Sequence, residues 1–132
     1  MNVLLDTHYV FGLADSPGAL SQREARFLDV HPKRLVVSAV SFWEIRLKWN
    51  SIHRSGDRKG PASPAEVLRV VSGQPVELLP LSSIHAATEL ETPLSHKDPF
   101  DELLLAQAQA EGLKLLSRDR MLRGHPLVEV IV

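Results

Sequence analysis

Two kinds of pattern alternate along this chain. Short runs dominated by apolar residues occur at Val3-Leu-Leu5, Leu35-Val-Val37, Val76-Glu-Leu-Leu79, Leu113-Lys-Leu-Leu116 and Leu127–Val132. A continuous apolar run, rather than a strict alternation, suits a strand buried on both faces of a parallel sheet. Between these runs, apolar positions recur every three or four residues behind cap-forming residues, which predicts helices. A short helix is predicted over Tyr9–Leu13, ended by the turn signal Asp15-Ser-Pro-Gly18. Ser21-Gln-Arg-Glu24 is a capping box for a helix running to about His31, with Ala25, Phe27 and Leu28 inward. Ser38 or Ser41 caps a helix through about Trp49, with Val40, Trp43, Ile45 and Leu47 as its apolar positions. Ser63-Pro-Ala-Glu66 opens another, to about Val71, and Ser82 or Ser83 opens one through about Leu90.

The best-marked segment runs from His96 to Asp119. Asp98 stands at an N-cap position, Pro99 at the first helical residue and Asp101 at the third. Phe100, Leu103, Leu104 and Ala108 keep the 3, 4, 7 spacing of an apolar stripe, and Gly112 is a C′ stop. Leu113–Leu116 then forms a strand whose C-terminal end presents Ser117-Arg-Asp119. A helix packed antiparallel to that strand begins at the edge where the strand ends. Asp98, Asp101 and Asp119 therefore share one edge, the edge at which open α/β sheets place their sites.

Strands alternating with helices predict a three-layer α/β/α sandwich around a mostly parallel sheet. At 132 residues, with no repeats and no interior linker, residues 1–132 are expected to form one domain. Asn50–Ser63 is a long basic loop that carries His53, Arg54, Arg58 and Lys59.

Composition narrows the chemistry. Hydrophobic residues at 44% and charged residues at 23% are globular values. The absence of cysteine excludes a disulfide scaffold, a thiolate zinc site and a cysteine nucleophile together. There is no signal-peptide pattern and no apolar run long enough to span a bilayer, so a soluble, cytoplasmic protein without membrane contact is expected. A formal charge of −1 argues against nucleic-acid binding through bulk positive charge, but is compatible with a basic rim around an acidic pocket.

Four acids share a structural address. Asp6 and Asp119 each follow the C-terminal end of a strand, Glu44 lies early in the helix after the second strand, and Asp101 lies in the first turn of the helix after Asp98. Carboxylates gathered at one edge repel, and burying them uncompensated is costly. A hard divalent cation, Mg²⁺ or Mn²⁺, resolves the repulsion and points to phosphoryl chemistry with an activated water. No Gly-rich phosphate loop is present. Apart from Asp6, the acids of this edge also have ordinary structural roles open to them. Asp98 is an N-cap, Asp101 a first-turn acid, Glu44 the partner of Ser41 in a capping box, and Asp119 a turn residue or ion-pair partner. Only Asp6 has no local cap to serve. His8, His96 and His125 match no zinc spacing, and His8 and His96 read as packing or hydrogen-bonding residues. Thr7 and Ser117 either orient a water or satisfy turn backbone; Arg46, Lys48 and Arg118 either meet phosphate or are solvated charges.

Leu4-Leu5-Asp6-Thr7-His8, Ser38-Ala-Val-Ser-Phe-Trp-Glu44-Ile-Arg-Leu-Lys48, His96-Lys-Asp-Pro-Phe-Asp101-Glu-Leu-Leu-Leu-Ala-Gln-Ala108 and Ser117-Arg-Asp119, in this order, resemble the PIN-domain ribonucleases, in particular the VapC-type toxins of bacterial toxin–antitoxin pairs. The resemblance covers nearly the whole chain, and its D-P-F-D…A-Q-A segment is the specific part. It implies a parallel five-stranded sheet and Mg²⁺- or Mn²⁺-dependent cleavage of RNA. Asp6, Glu44, Asp101 and Asp119 would form the catalytic, metal-binding quartet, with Asp6 and Asp101 as principal ligands. Asp101 is preferred to Asp98 because its interval to Gly112 and Ser117-Arg-Asp119 suits the family pattern. The resemblance further implies a homodimer and a small antitoxin whose C-terminal segment blocks the cleft. Two departures stand out. Glu102 occupies a position that is usually Arg, and the Asn50–Ser63 loop replaces a shorter Gly-Lys-Leu turn. The main rival is a catalytically silent PIN-like module that binds RNA or protein. A receiver-like phosphoacceptor domain is disfavoured, because it needs adjacent acids after the first strand and a Lys after the last.

Overall fold

The computed structural model describes residues 1–14, 20–51 and 62–131. The predicted turn at Asp15–Gly18 and nearly all of the basic loop lie outside those residues. Five strands form one sheet: β1 (Asn2–Leu5), β2 (Arg34–Ser38), β3 (Glu77–Leu79), β4 (Lys114–Leu116) and β5 (Val128–Glu129). Among the described residues six helices accompany them: α1 (Thr7–Ala14), α2 (Gln22–Val30), α3 (Ala39–Asn50), α4 (Pro64–Ser72), α5 (Ser83–Ala87) and α6 (Pro99–Glu111), with a 3₁₀ turn at Arg120–Leu122. The strand order is β3-β2-β1-β4-β5 and every pairing is parallel. The chain therefore moves outward from β1 through β2 to β3, then returns to the other side of β1 for β4 and β5. This reversal makes the gap between β1 and β4 a topological switch point, where α/β sheets open a crevice at their carboxyl ends.

The continuous apolar runs are explained by burial on both faces. Leu4, Val36 and Leu115 face one layer, packed with Leu104, Leu105 and Ala108 of α6. Val3, Leu5, Val37 and Leu116 face the other, with Tyr9 and Val10 of α1, Ile45 of α3, and Val67 and Val71 of α4. Because α3 contributes Val40 to the first cluster and Ile45 to the second, it ties the two layers together.

Several local expectations are corrected by tertiary context. The first helix begins at Thr7, not Tyr9, so Asp6 immediately precedes a helix after all. In α2 Phe27 and Leu28 pack against the core as expected, but Ala25 is exposed and Glu24 is buried in its stead. On α3, Trp43 (45% exposed) and Leu47 (41%) lie on the outer surface. Helix α5 stops at Ala87, where Thr88 leaves helical geometry, and β5 is only two residues long. In α6 the expectations hold. Asp98 accepts from the Phe100 and Asp101 amides, and Gly112 takes a left-handed conformation (φ 69°), which the lack of Cβ makes inexpensive. No helix among the described residues is long and apolar enough to cross a membrane.

Candidate functional site

The register of β1 against β4 assembles the first part of the site. Leu5 pairs with Leu116, so the residues that follow, Asp6 and Ser117, leave the sheet side by side. The Asp6 amide donates to Leu116 O at 3.0 Å, and Ser117 Oγ donates to Asp6 Oδ2 at 2.6 Å. The other carboxylate oxygen, Oδ1, accepts from the Thr7 amide at 2.7 Å. Ser117 Oγ also accepts from the Asp119 amide at 3.1 Å, which joins the turn carrying Asp119 to Asp6 through one hydroxyl. Asp119 is exposed, and its Oδ1 caps the 3₁₀ turn by accepting from Met121 N at 2.9 Å.

Glu44 reaches the same place from α3. Ser38, not Ser41, caps that helix, and the Ser41–Glu44 box does not form. Glu44 Oε1 instead accepts from Thr7 Oγ1 at 2.7 Å, while Oε2 pairs with Lys48 Nζ at 2.9 Å, one turn on. Asp101 is supplied by the first turn of α6, 7% exposed, with Oδ2 at 3.0 Å from His96 Nε2.

Asp6, Glu44, Asp101 and Asp119 line a single cleft of about 380 Å³, together with Thr7, His8, Phe11, Lys48, Asp98 and Arg118. Asp98 thus serves as the N-cap and lies on the cleft wall. Burial pushes the Asp6 carboxyl above the usual carboxylate range, against the hydrogen bonds from Ser117 and Thr7, and the charges of Glu44 and Asp119 push the same way. Burial likewise raises Asp101 to about 6; the His96 contact opposes this, and the Asp98, Asp6 and Asp119 charges add to it. Both directions come first from burial of the carboxyl groups, with repulsion from the neighbouring acids adding to it. Ligand atoms of His96, Asp101 and Asp119 lie within 4.8 Å of one another, close enough for one ion. Asp6 and Glu44 are outside that group of one imidazole and two carboxylates, but they line the same cleft, and its carboxylate oxygens fit a hard divalent cation such as Mg²⁺ or Mn²⁺.

Lys48 and Arg118 are the positive members of the wall. Arg118 is clamped by Glu24, with Nε to Oε2 at 2.9 Å and Nη2 to Oε1 at 2.7 Å, and its guanidinium lies over the Tyr9 ring. Tyr9 Oη donates to the same Glu24 at 2.6 Å. The capping box at Ser21–Glu24 is present, yet its local signal hides this longer-range role of Glu24. Of the histidines, His8 lines the cleft. His125 does not, and its Nε2 donates to the Thr92 carbonyl. Arg46 also lies off the cleft, in an apolar surface groove between α3 and α4.

Comparison with known proteins agrees with this architecture. The PIN-domain family model matches residues 3–126. The chain is 31% identical over 124 residues to ribonuclease VapC22 of Mycobacterium tuberculosis, spanning 93% of this chain and 91% of that one. A toxin–antitoxin complex from Klebsiella pneumoniae superposes with a TM-score of 0.65 at 16% identity, over 99% of this chain and 98% of the other. DNA-bound VapBC from Salmonella typhimurium gives 0.64 at 19%, over 98% and 96%. With the family model covering nearly the full length, and the sheet order and carboxylate cleft in place, this chain belongs to the PIN-domain family.

Proposed function

We propose that the protein is a divalent-metal-dependent endoribonuclease, the toxin of a toxin–antitoxin pair, using Asp6, Glu44, Asp101 and Asp119 as its catalytic and metal-binding residues. The observation that carries this reading is that four carboxylates from four separate parts of the chain line one cleft, with Asp101 buried and Asp6 held by Ser117 and Thr7. Bound there, Mg²⁺ or Mn²⁺ supplies a polarised water and the positive charge that phosphodiester cleavage requires. The chain's own contribution is arrangement. Ser117 and the Thr7 amide fix Asp6, and the Thr7 hydroxyl fixes Glu44. Lys48 and Arg118, on the same wall, meet backbone phosphates of RNA and set its register without reading sequence. The name of the curated relative supports RNA as the substrate, and the toxin–antitoxin complexes among the structural relatives support a small antitoxin partner. A homodimer working in the cytoplasm, with the antitoxin's C-terminal segment closing the cleft, completes the proposal.

The test is incubation of purified protein with an RNA pool and Mg²⁺, comparing wild type with Asp6→Asn and Asp101→Asn. Cleavage by wild type that needs the metal and disappears in both variants is the expected result. Equal cleavage by all three would point to a contaminating nuclease. RNA retained but never cut would instead identify a silent PIN-like binding module.

A further inference from the structure

His96 differs from the four acids in chemistry, although one of its ring nitrogens lies within 4.8 Å of carboxylate oxygens of Asp101 and Asp119. It precedes α6 by three residues, with Nε2 at 3.0 Å from Asp101 Oδ2. The side chain is 17% exposed and is absent from the cleft wall that Asp101 helps to line. The ring's second nitrogen, Nδ1, is buried without a hydrogen-bond partner. An orphaned lone pair is tolerated better than an orphaned N–H, so the proton belongs on Nε2, where it is donated to Asp101. Its one polar contact is therefore the Asp101 carboxylate.

That arrangement has a cost and a consequence. Burying Nδ1 unpaired is unfavourable, and an apolar ring of the same size would avoid it. Meanwhile Asp101 Oδ2 is committed to His96, and the Asp101 amide is committed to Asp98 Oδ1 at 3.2 Å. With the backbone and one oxygen both tied, the carboxyl group has one orientation, leaving Oδ1 for the cleft. Ligand carboxylates are commonly held by a hydrogen bond from a neighbouring side chain, and losing such a partner weakens metal affinity about 10–100-fold.

We propose that His96 is a positioning residue for the metal site: its Nε2–H holds the Asp101 carboxylate in the orientation that receives the divalent ion. This rests on the metal-dependent reading of the cleft. The discriminating substitutions are His96→Phe, which keeps a ring and removes the donor, and His96→Gln, whose side-chain amide places a donor at similar reach. Mn²⁺ binding is read without RNA, by the electron paramagnetic resonance signal of the free ion, beside thermal unfolding of the metal-free protein.

The expected result has three parts. His96→Phe weakens Mn²⁺ binding about 10–100-fold, its metal-free form unfolds no earlier than wild type, and His96→Gln recovers much of the affinity. Wild-type affinity in His96→Phe would overturn the proposal and leave the metal reading intact. Loss of thermal stability equal in the Phe and Gln variants, with no recovery of affinity, would make His96 a packing residue. Nitrogen hyperfine coupling from the wild-type ring to bound Mn²⁺ would make it a direct ligand, not a positioning one. Absence of Mn²⁺ binding by wild type would remove the metal reading and this proposal with it.

Discussion

Thr7 Oγ1 donates to Glu44 Oε1 at 2.7 Å, and the same hydroxyl lies 3.1 Å from Ser41 Oγ. Thr7 is the first residue of α1 and 3% exposed, while Glu44 belongs to α3. One buried hydroxyl thus connects the end of the first strand to the helix that brings in an acid 37 residues later. Without it Glu44 would answer only to Lys48, whose side chain is 57% exposed.

Replacing Thr7 by Val keeps the shape and deletes the hydroxyl. Loss of a hydrogen bond to a charged group costs about 1.5–3 kcal/mol. Urea unfolding should register a loss of that order, and Mn²⁺ affinity should fall because Glu44 is no longer aimed. Thr7→Ser, which retains the donor, should stay close to wild type in both measurements.

Asp6→Asn separates stability from metal binding. The uncharged amide relieves the burial and repulsion that raise the Asp6 pKa, and the Ser117 hydroxyl can turn to accept from it. In chelator the variant should unfold at the wild-type temperature or above it. Added Mn²⁺ should then divide the two. At 100 times its dissociation constant the ion stabilises wild type by about 2.7 kcal/mol, whereas the variant should gain little. Thermal scans with and without Mn²⁺ measure the difference.

The raised pKa of Asp101 makes a signed prediction for pH. Between 3.8, the ordinary value, and about 6, the folded carboxyl holds a proton that the unfolded one has released. Stability then falls as pH rises through this window, because the folded state binds more protons. The stability of metal-free wild type relative to Asp101→Asn should therefore decrease from pH 4 to pH 6 and level off above. Divalent-ion affinity should move oppositely, rising through pH 6 as the competing proton leaves. Titration calorimetry at several pH values checks the second statement and differential scanning calorimetry the first.

Gln107 offers a prediction away from the site. It is fully buried in the middle of α6, accepting from Ser38 Oγ and reaching His85 Nδ1 at 3.3 Å and Pro80 O at 3.4 Å. His85 Nε2 continues the chain to Glu111 at 3.0 Å. Gln107→Leu leaves the Ser38 hydroxyl proton without its acceptor in the core, a loss of about 1–3 kcal/mol, while His85 keeps the Ser82 amide and Glu111. Denaturant unfolding should show the loss, with the folded fraction keeping its Mn²⁺ affinity. A variant as stable as wild type would mean that water or repacking satisfies the Ser38 hydroxyl.

What the sequence determined by itself is local or strictly periodic. The apolar runs fix five strands in their order, because a parallel strand buried on both faces needs an unbroken apolar segment. The Asp98, Pro99 and Gly112 signals fix α6 to the residue, because caps and left-handed turns are governed by neighbours in sequence. The four acids were legible as strand-end and first-turn residues, and the cleft they line follows from that address. Tertiary structure alone decided which partner each polar group takes. Glu24 and Gln107 carry ordinary cap and helix signals and His96 reads as a packing or hydrogen-bonding residue, yet they bond to Arg118, Ser38 and Asp101, two of them across more than 60 residues. It also decided that Trp43 and Leu47 face outward, since the part of α3 that is covered depends on how α4 and α6 pack against it. Periodicity records that a face is apolar. Only the packing of the other elements determines whether that face is covered and which buried donor meets which acceptor.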